Sequence, residues 1–131
     1  MPFRLRDRSR YSVLAVATIF VGLIVHLRGD AMPPAARDVL GDALWAMMVM
    51  WVISALVPRI SLSWRATAAA IVCVVVEFSQ LVDQPTLTAI RRTAVGHLVL
   101  GNTFGPRDLV AYLSGVISAA LFDWMLTAIN R

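Results

Sequence analysis

The chain has 131 residues, of which 59% are apolar, and its mean hydropathy is +0.73. This apolar content exceeds that of ordinary water-soluble domains and favours an integral membrane protein. All 12 basic residues are arginines and the formal net charge is +4. We expect contact with membrane lipids and no nucleic-acid partner, because the arginines do not form a clustered basic and aromatic surface.

Four apolar runs match the roughly 20 residues that a helix needs to cross a bilayer. The runs cover residues 11–27, 39–57, 66–82 and 109–129. Pro33, Pro34, Pro58 and Pro106 stand in the connections between them, where a helix could not continue. The sequence therefore predicts an all-α membrane protein with four transmembrane helices, organised as one domain over residues 1–131.

The first run could also be the apolar core of a secretory signal, because four arginines precede it. The run is longer than a usual signal core, and Arg28 follows it where a cleavage site would need small residues. We interpret it as an uncleaved first span. Cys73, the single cysteine, lies within the third run and is expected to be a small packing residue.

The connection between the third and fourth runs is too polar to span the membrane. Within it, Leu87, Ile90, Ala94 and Leu98 recur at helical spacing, which predicts a short helix lying in the membrane interface. Arg91 and Arg92 belong to this helix, and a glycine-containing segment follows it.

Arginine placement predicts the orientation of the four spans. Seven arginines fall on the side that holds both termini and five on the other, and four of the seven precede the first span. The positive-inside rule then places both termini in the cytoplasm. Six of the eight acidic residues lie in the opposite, outer half. Acidic residues contribute little to orientation, so their concentration there suggests a polar site.

Alternation of four helices brings the polar ends of several spans to one outer face. Glu77 is the most informative residue there, because a carboxylate within an apolar run must be paired or must face water. Gln80 lies three residues further on the same helix face. Small residues precede both along that face, so we expect Glu77 to point inward. The candidate binding residues are Asp42, Glu77, Gln80, Arg91, Arg92 and Asp108.

Four of the six candidates also have a purely structural explanation. Asp42 and Asp108 suit the first turns of helices, where a carboxylate interacts well with the helix dipole. Glu77 and Arg91 could form a salt bridge that only closes the bundle. The two histidines are interpreted as ordinary interfacial residues, so no metal site or cofactor is predicted. Asp123 is interpreted as a helix-end residue at the inner interface.

The spacing of several motifs resembles a bacterial family of small membrane proteins called domain of unknown function 2809. The motifs are Gly41-Asp42, Leu44-Trp45, Glu77-Phe78-Ser79-Gln80-Leu81, Ile90-Arg91, Gly96, Leu100-Gly101, Phe104, Asp108-Leu109, Tyr112 and Gly115. This resemblance covers most of the chain after residue 22 and implies no established activity. It implies a multi-pass protein of the bacterial inner (cytoplasmic) membrane.

A more distant resemblance is to VanZ-like proteins, which confer teicoplanin resistance. Those proteins have a Glu and a Gln three residues apart, a loop Arg, and an Asp that leads a glycine-containing last span. Glu77, Gln80, Arg91, Asp108 and Gly115 match this pattern. The chain departs from it at Tyr112, where VanZ-like proteins tend to carry Asn, and it lacks their acidic residue after the loop Arg.

These observations lead to one functional interpretation and two alternatives. The interpretation is an accessory membrane protein that binds an envelope-related anionic ligand or a lipid headgroup in an outward-facing polar pocket. The first alternative is an intramembrane enzyme acting on such a ligand, with Glu77 or Asp108 as acid or base, although a nucleophile is not evident. The second is a structural subunit of a membrane complex. Assembly as a homo-oligomer is compatible with all three readings.

Overall fold

The structure, a computed structural model, describes residues 2–82, 84–96 and 105–131, with side chains from residue 7 onward. The described residues form helices and their connections and contain no strand. The helices are α1 (Pro2–Leu27), a short 3-10 helix (Gly29–Ala31), α2 (Pro34–Leu56), α3 (Leu62–Ser79), α4 (Pro85–Arg92) and α5 (Pro106–Ile129). Four are long and apolar enough to cross a membrane: Asp7–Leu27 within α1, and all of α2, α3 and α5. The prediction of an all-α fold with four candidate spans is confirmed.

Each of the four long helices begins before its apolar run, and none extends past the end of its run. The third run was taken to start at residue 66, but α3 begins at Leu62 and includes Arg65. The second was taken to start at residue 39, but α2 begins at Pro34, a residue suited to the first helical turn. Both helices therefore begin about one turn before the apolar run that indicated them. Asp42 consequently lies two turns inside α2.

The helix predicted between the third and fourth spans is interrupted at Thr93, and residues 94–96 are helical again. α4 ends at Arg92, because Thr93 has an extended backbone with φ −73° and ψ 152°. The Thr93 hydroxyl donates to the Ile90 carbonyl at 2.6 Å and accepts the Gly96 N–H at 3.0 Å. These local bonds end α4 and cap the helical turn that starts at residue 94. Leu98, His97 and Gly101 lie outside the described residues.

α2 is the central helix of the bundle, since it packs against α1, α3 and α5, while α3 also packs against α5. The core is filled mainly by Met50 and Trp51 of α2. The Trp51 ring stacks on Tyr11 with centroids 6.2 Å apart and meets the edge of Phe122 at 6.1 Å. Most other large apolar side chains are exposed, as expected for helices whose outer faces contact lipid.

Gly115 sets the distance between α2 and α5. A Cβ atom added there would lie 2.2 Å from the Ala43 carbonyl oxygen and 2.9 Å from its carbon. The two backbones can approach this closely only because Gly115 has no side chain. The approach places the start of α5, with Asp108 and Tyr112, directly beside the first half of α2.

Candidate functional site

Buried acidic side chains lie at both ends of the bundle. Glu77 is 0% exposed and Asp123 is 1% exposed. Glu77 is near the end of α3, close to the starts of α2 and α5, and we call this region the Glu77 end. Asp123 is near the end of α5, close to the start of α3, and we call this region the Asp123 end. The two carboxylates have very different surroundings.

Three donors bind the Asp123 carboxylate, although one of them, Arg10, has a buried Nε without a partner. The Tyr11 hydroxyl donates to its Oδ1 at 2.8 Å, and Arg10 approaches the same oxygen at 3.5 Å. Arg65 donates to Oδ2 at 3.0 Å as a buried salt bridge. The interpretation of Asp123 as a helix-end residue at the inner interface was wrong, because three donors hold its carboxylate in the protein interior.

Arg65 completes this network. Its Nε donates to the Ile60 carbonyl at 2.9 Å, and its other terminal nitrogen donates to the Ser54 hydroxyl at 2.8 Å. Its guanidinium also lies 5.3 Å from the centre of the Tyr11 ring. Asp123 and Arg65 thus connect α1, α2, α3 and α5. A buried charge pair that is also hydrogen-bonded can hold helices together. We call Asp123 and Arg65, with Tyr11 and Ser54, the clamp, and interpret it as structural.

Glu77 at the opposite end points inward, as predicted, but its carboxylate is only partly satisfied. Its Oε1 accepts the Gly105 N–H at 2.9 Å, while its buried Oε2 has no hydrogen-bond partner. Asp42 and Asp108 lie close enough to interact with Glu77 electrostatically, and the Tyr112 hydroxyl and the Asp108 carboxyl also lie within hydrogen-bonding reach of the Glu77 carboxyl. Three carboxyl groups from α2, α3 and α5 therefore share one region.

Arg91 does not neutralise this carboxyl cluster. It donates to the backbone carbonyl of Ser79, and at 3.5 Å to that of Val82, just after α3 ends. Among the described residues no ion pair joins Arg91 to Glu77, so the suggested salt bridge between them is wrong. Arg91 instead satisfies carbonyls at the end of α3, where a cation is favoured by the helix dipole.

Two buried donors at the Glu77 end also lack partners. They are Trp45 Nε1 and Arg91 Nε, and the Trp45 ring lies against Tyr112 with centroids 5.5 Å apart. Sequence reasoning did not select Trp45 as a site residue. Its position three residues after Asp42 on an inward helix face was the available signal. Buried unpaired donors and acceptors are uncommon, and among the described residues the Glu77 end has more of them than the Asp123 end, where Arg10 Nε is unpaired.

The structure brings most of the predicted site residues to one end. Asp42, Glu77 and Asp108 form the carboxyl cluster, with Arg91 beside the end of α3. Gln80 is half-buried at the end of α3, and Arg92 is exposed on α4. Within the described part of the chain, no group of histidine, cysteine and acidic residues is arranged to hold a metal ion.

The sequence was compared with models of known protein families, and a family model matches it. The family model described as "Protein of unknown function (DUF2809)" matches residues 31–116, about two thirds of the chain. The chain belongs to the DUF2809 family. The DUF2809 segment begins in the 3-10 helix, ends within α5 and contains all six candidate site residues. Tyr11 and Asp123 lie outside it. No solved structure matches the chain.

Proposed function

We propose that this DUF2809 protein binds the polar headgroup of an envelope lipid, one that carries both an amine and a phosphate, at the Glu77 end. The single observation that carries the proposal is the fully buried Glu77 carboxyl group, which no described arginine neutralises and whose Oε2 makes no hydrogen bond of ordinary geometry. An ionised carboxylate in an apolar bundle needs a cation or a donor, and an incoming ammonium group supplies both.

The neighbours of Glu77 favour a positively charged group in the interior of the site. Asp42 and Asp108 add two carboxyl groups, and none of the described ion pairs joins these three acids to an arginine. Carboxylates placed together repel one another unless a proton or a cation lies between them. A ligand ammonium therefore fits the carboxyl cluster better than an anion does.

The arginines favour an anionic group at the rim of the same site. Arg91 is half-buried and its Nε is without a partner, while Arg92 and Arg107 are exposed. Guanidinium groups bind phosphate oxygens well and remain charged at every physiological pH. An acidic interior with a basic rim is complementary to a headgroup whose amine enters first and whose phosphate stays near the surface.

Titration of delipidated protein with lipids of identical acyl chains tests the proposal. We expect phosphatidylethanolamine to raise the melting temperature more than phosphatidylcholine, because trimethylation removes the ammonium N–H donors. Phosphatidylglycerol should also be weaker, because it has no amine. Equal stabilisation by the three lipids would contradict the proposal. Glu77→Gln should abolish the preference, whereas Asp38→Asn, an acid-to-amide change at an exposed residue of α2, should preserve it.

The position of the site relative to the membrane is a separate part of the proposal. The arginine distribution predicts that the Glu77 end faces outward. Reporters fused after Ser61 and Arg131 should then read cytoplasmic, and one near Pro34 should read extracytoplasmic. The opposite pattern would place the same site on the cytoplasmic surface, so that the outward orientation would be wrong.

A further inference from the structure

We propose that a pocket at the Asp123 end, lined by Arg8 and Arg59, binds the phosphate of an anionic phospholipid. The pocket has a volume of about 260 Å³ and is lined by Arg8, Leu56, Val57, Pro58, Arg59 and Ile60. It lies at the opposite end of the bundle from the Glu77 site and shares no residue with it. The proposal therefore does not depend on the function proposed above.

The pocket combines an apolar wall with exposed positive charge. Leu56 and Ile60 are 67% and 46% exposed, so apolar surface is open to a lipid chain. Arg8 and Arg59 are exposed, and neither forms an ion pair with a described acidic residue. Arg8 approaches the Leu56 carbonyl at 3.5 Å, a long contact that leaves most of its donors free. The guanidinium groups are thus available to an anion.

The position of the pocket matches the depth of phospholipid headgroups. Arg8 is next to the first residue of the candidate span in α1, and Leu56 is the last residue of the span in α2. Span ends lie where hydrocarbon gives way to headgroups. Trp64 and Trp124, near the start of α3 and the end of α5, are 69% and 62% exposed at this end. Exposed tryptophans are typical of the interface.

Charge complementarity selects the lipid class. Arginine contributes about a fivefold gain in binding to an anionic membrane surface, which corresponds to about 1 kcal/mol per residue. A zwitterionic headgroup would place its own cation near the two arginines and lose this gain. The volume leaves room for a headgroup phosphate, while the acyl chains would lie along the exposed apolar residues outside the pocket.

Native mass spectrometry of the full chain in detergent tests this site, with short-chain phosphatidylglycerol as the probe. We expect Arg8→Gln and Arg59→Gln each to weaken phosphatidylglycerol binding about fivefold and the double variant about 25-fold. Arg131→Gln, the same change at an exposed arginine of the same end, should leave the affinity unchanged. Arg8→Lys should retain most of the binding, because it keeps the positive charge. This variant separates the effect of the charge from that of the guanidinium contact with the Leu56 carbonyl of α2.

Several results would overturn the proposal. They are a double variant that binds phosphatidylglycerol like the wild type, equal affinity for phosphatidylcholine, and an equal loss in Arg131→Gln. Inorganic phosphate, added as a competitor, should displace the lipid only at far higher concentration, because it has no chain to contact Leu56. Displacement at matched concentration would identify a free-phosphate site and contradict a lipid site. Melting temperatures of all variants should stay near the wild-type value.

Discussion

Replacing Asp123 by asparagine removes the negative charge that pairs with the buried Arg65. Among the described acidic residues, only Asp123 accepts hydrogen bonds from a buried arginine. The side chains of Arg65 and Asp123 are 7% and 2% exposed, so the change leaves a cation without its counter-ion in the interior. Breaking such a pair costs about 3–5 kcal/mol. Arg65 keeps its bonds to Ser54 and Ile60, and asparagine can still accept from Tyr11. We therefore expect a loss of stability near 3 kcal/mol, the lower end of that range.

Unfolding in mixed micelles by sodium dodecyl sulfate, followed by helical circular dichroism, measures this loss. Glu77→Gln is the matched control, because Glu77 is equally buried but pairs with no described arginine. We expect its free energy of unfolding to stay within about 1 kcal/mol of the wild-type value, or to rise, since a charge is removed from a cluster of carboxyl groups.

A double-mutant cycle then isolates the pair. Asp123→Asn and Arg65→Gln together should cost less than the sum of the single variants by at least about 1 kcal/mol. The clamp interpretation is refuted if Asp123→Asn costs less than about 1 kcal/mol, or if the two changes add without coupling. It is equally refuted if Glu77→Gln costs as much as Asp123→Asn.

Gly115→Ala should destabilise the bundle by about 1–3 kcal/mol in the same assay, because the new methyl group meets the α2 backbone. Gly22→Ala is the control, because its new Cβ would meet nothing within 4 Å, and it should be neutral or stabilise the protein by up to about 1 kcal/mol. Equal losses of stability at Gly115 and Gly22 would contradict this account of α2–α5 packing. Tyr11→Phe should lower the free energy of unfolding by about 1–2 kcal/mol, because the hydrogen bond from the Tyr11 hydroxyl to Asp123 is lost. An unchanged unfolding midpoint would show that this bond does not stabilise the protein. The effects of Arg91→Ala and Glu77→Gln on the free energy of unfolding should add to within about 0.5 kcal/mol. Strong coupling between them would indicate a salt bridge and contradict the structure.

Hydrophobic length was sufficient to predict the four spans and the end at which polar residues converge. Both follow from the thickness of the bilayer and from strict alternation of helix direction, which are properties of the whole chain. The inward direction of Glu77 was also predictable, because a carboxylate cannot face lipid at that depth. These predictions did not depend on the rotamer of any side chain.

The pairing of charges was not predictable in the same way. The third apolar run was taken to start at residue 66, which left Arg65 outside the span, although α3 begins three residues before Arg65 and brings it inside the bundle. Asp123 was interpreted from its position near a helix end. However, Tyr112, Gly115 and Ala119 lie on one buried face of α5, and Asp123 follows Ala119 by one further turn on that face. That spacing was the missed signal. Long arginine side chains can reach several partners, so spacing along one helix cannot select among them.

The most direct test of the Glu77 site is the lipid that copurifies with the protein, quantified by mass spectrometry per mole of folded chain. Wild-type protein and Asp38→Asn should retain the same amount of an aminophospholipid. Glu77→Gln should retain at least about tenfold less, because a hydrogen bond to a charged group contributes about 1.5–3 kcal/mol. Its melting temperature should remain close to the wild-type value. If folded Glu77→Gln protein retains the same aminophospholipid in the same amount as wild type, Glu77 does not hold the amine and the proposed site is wrong.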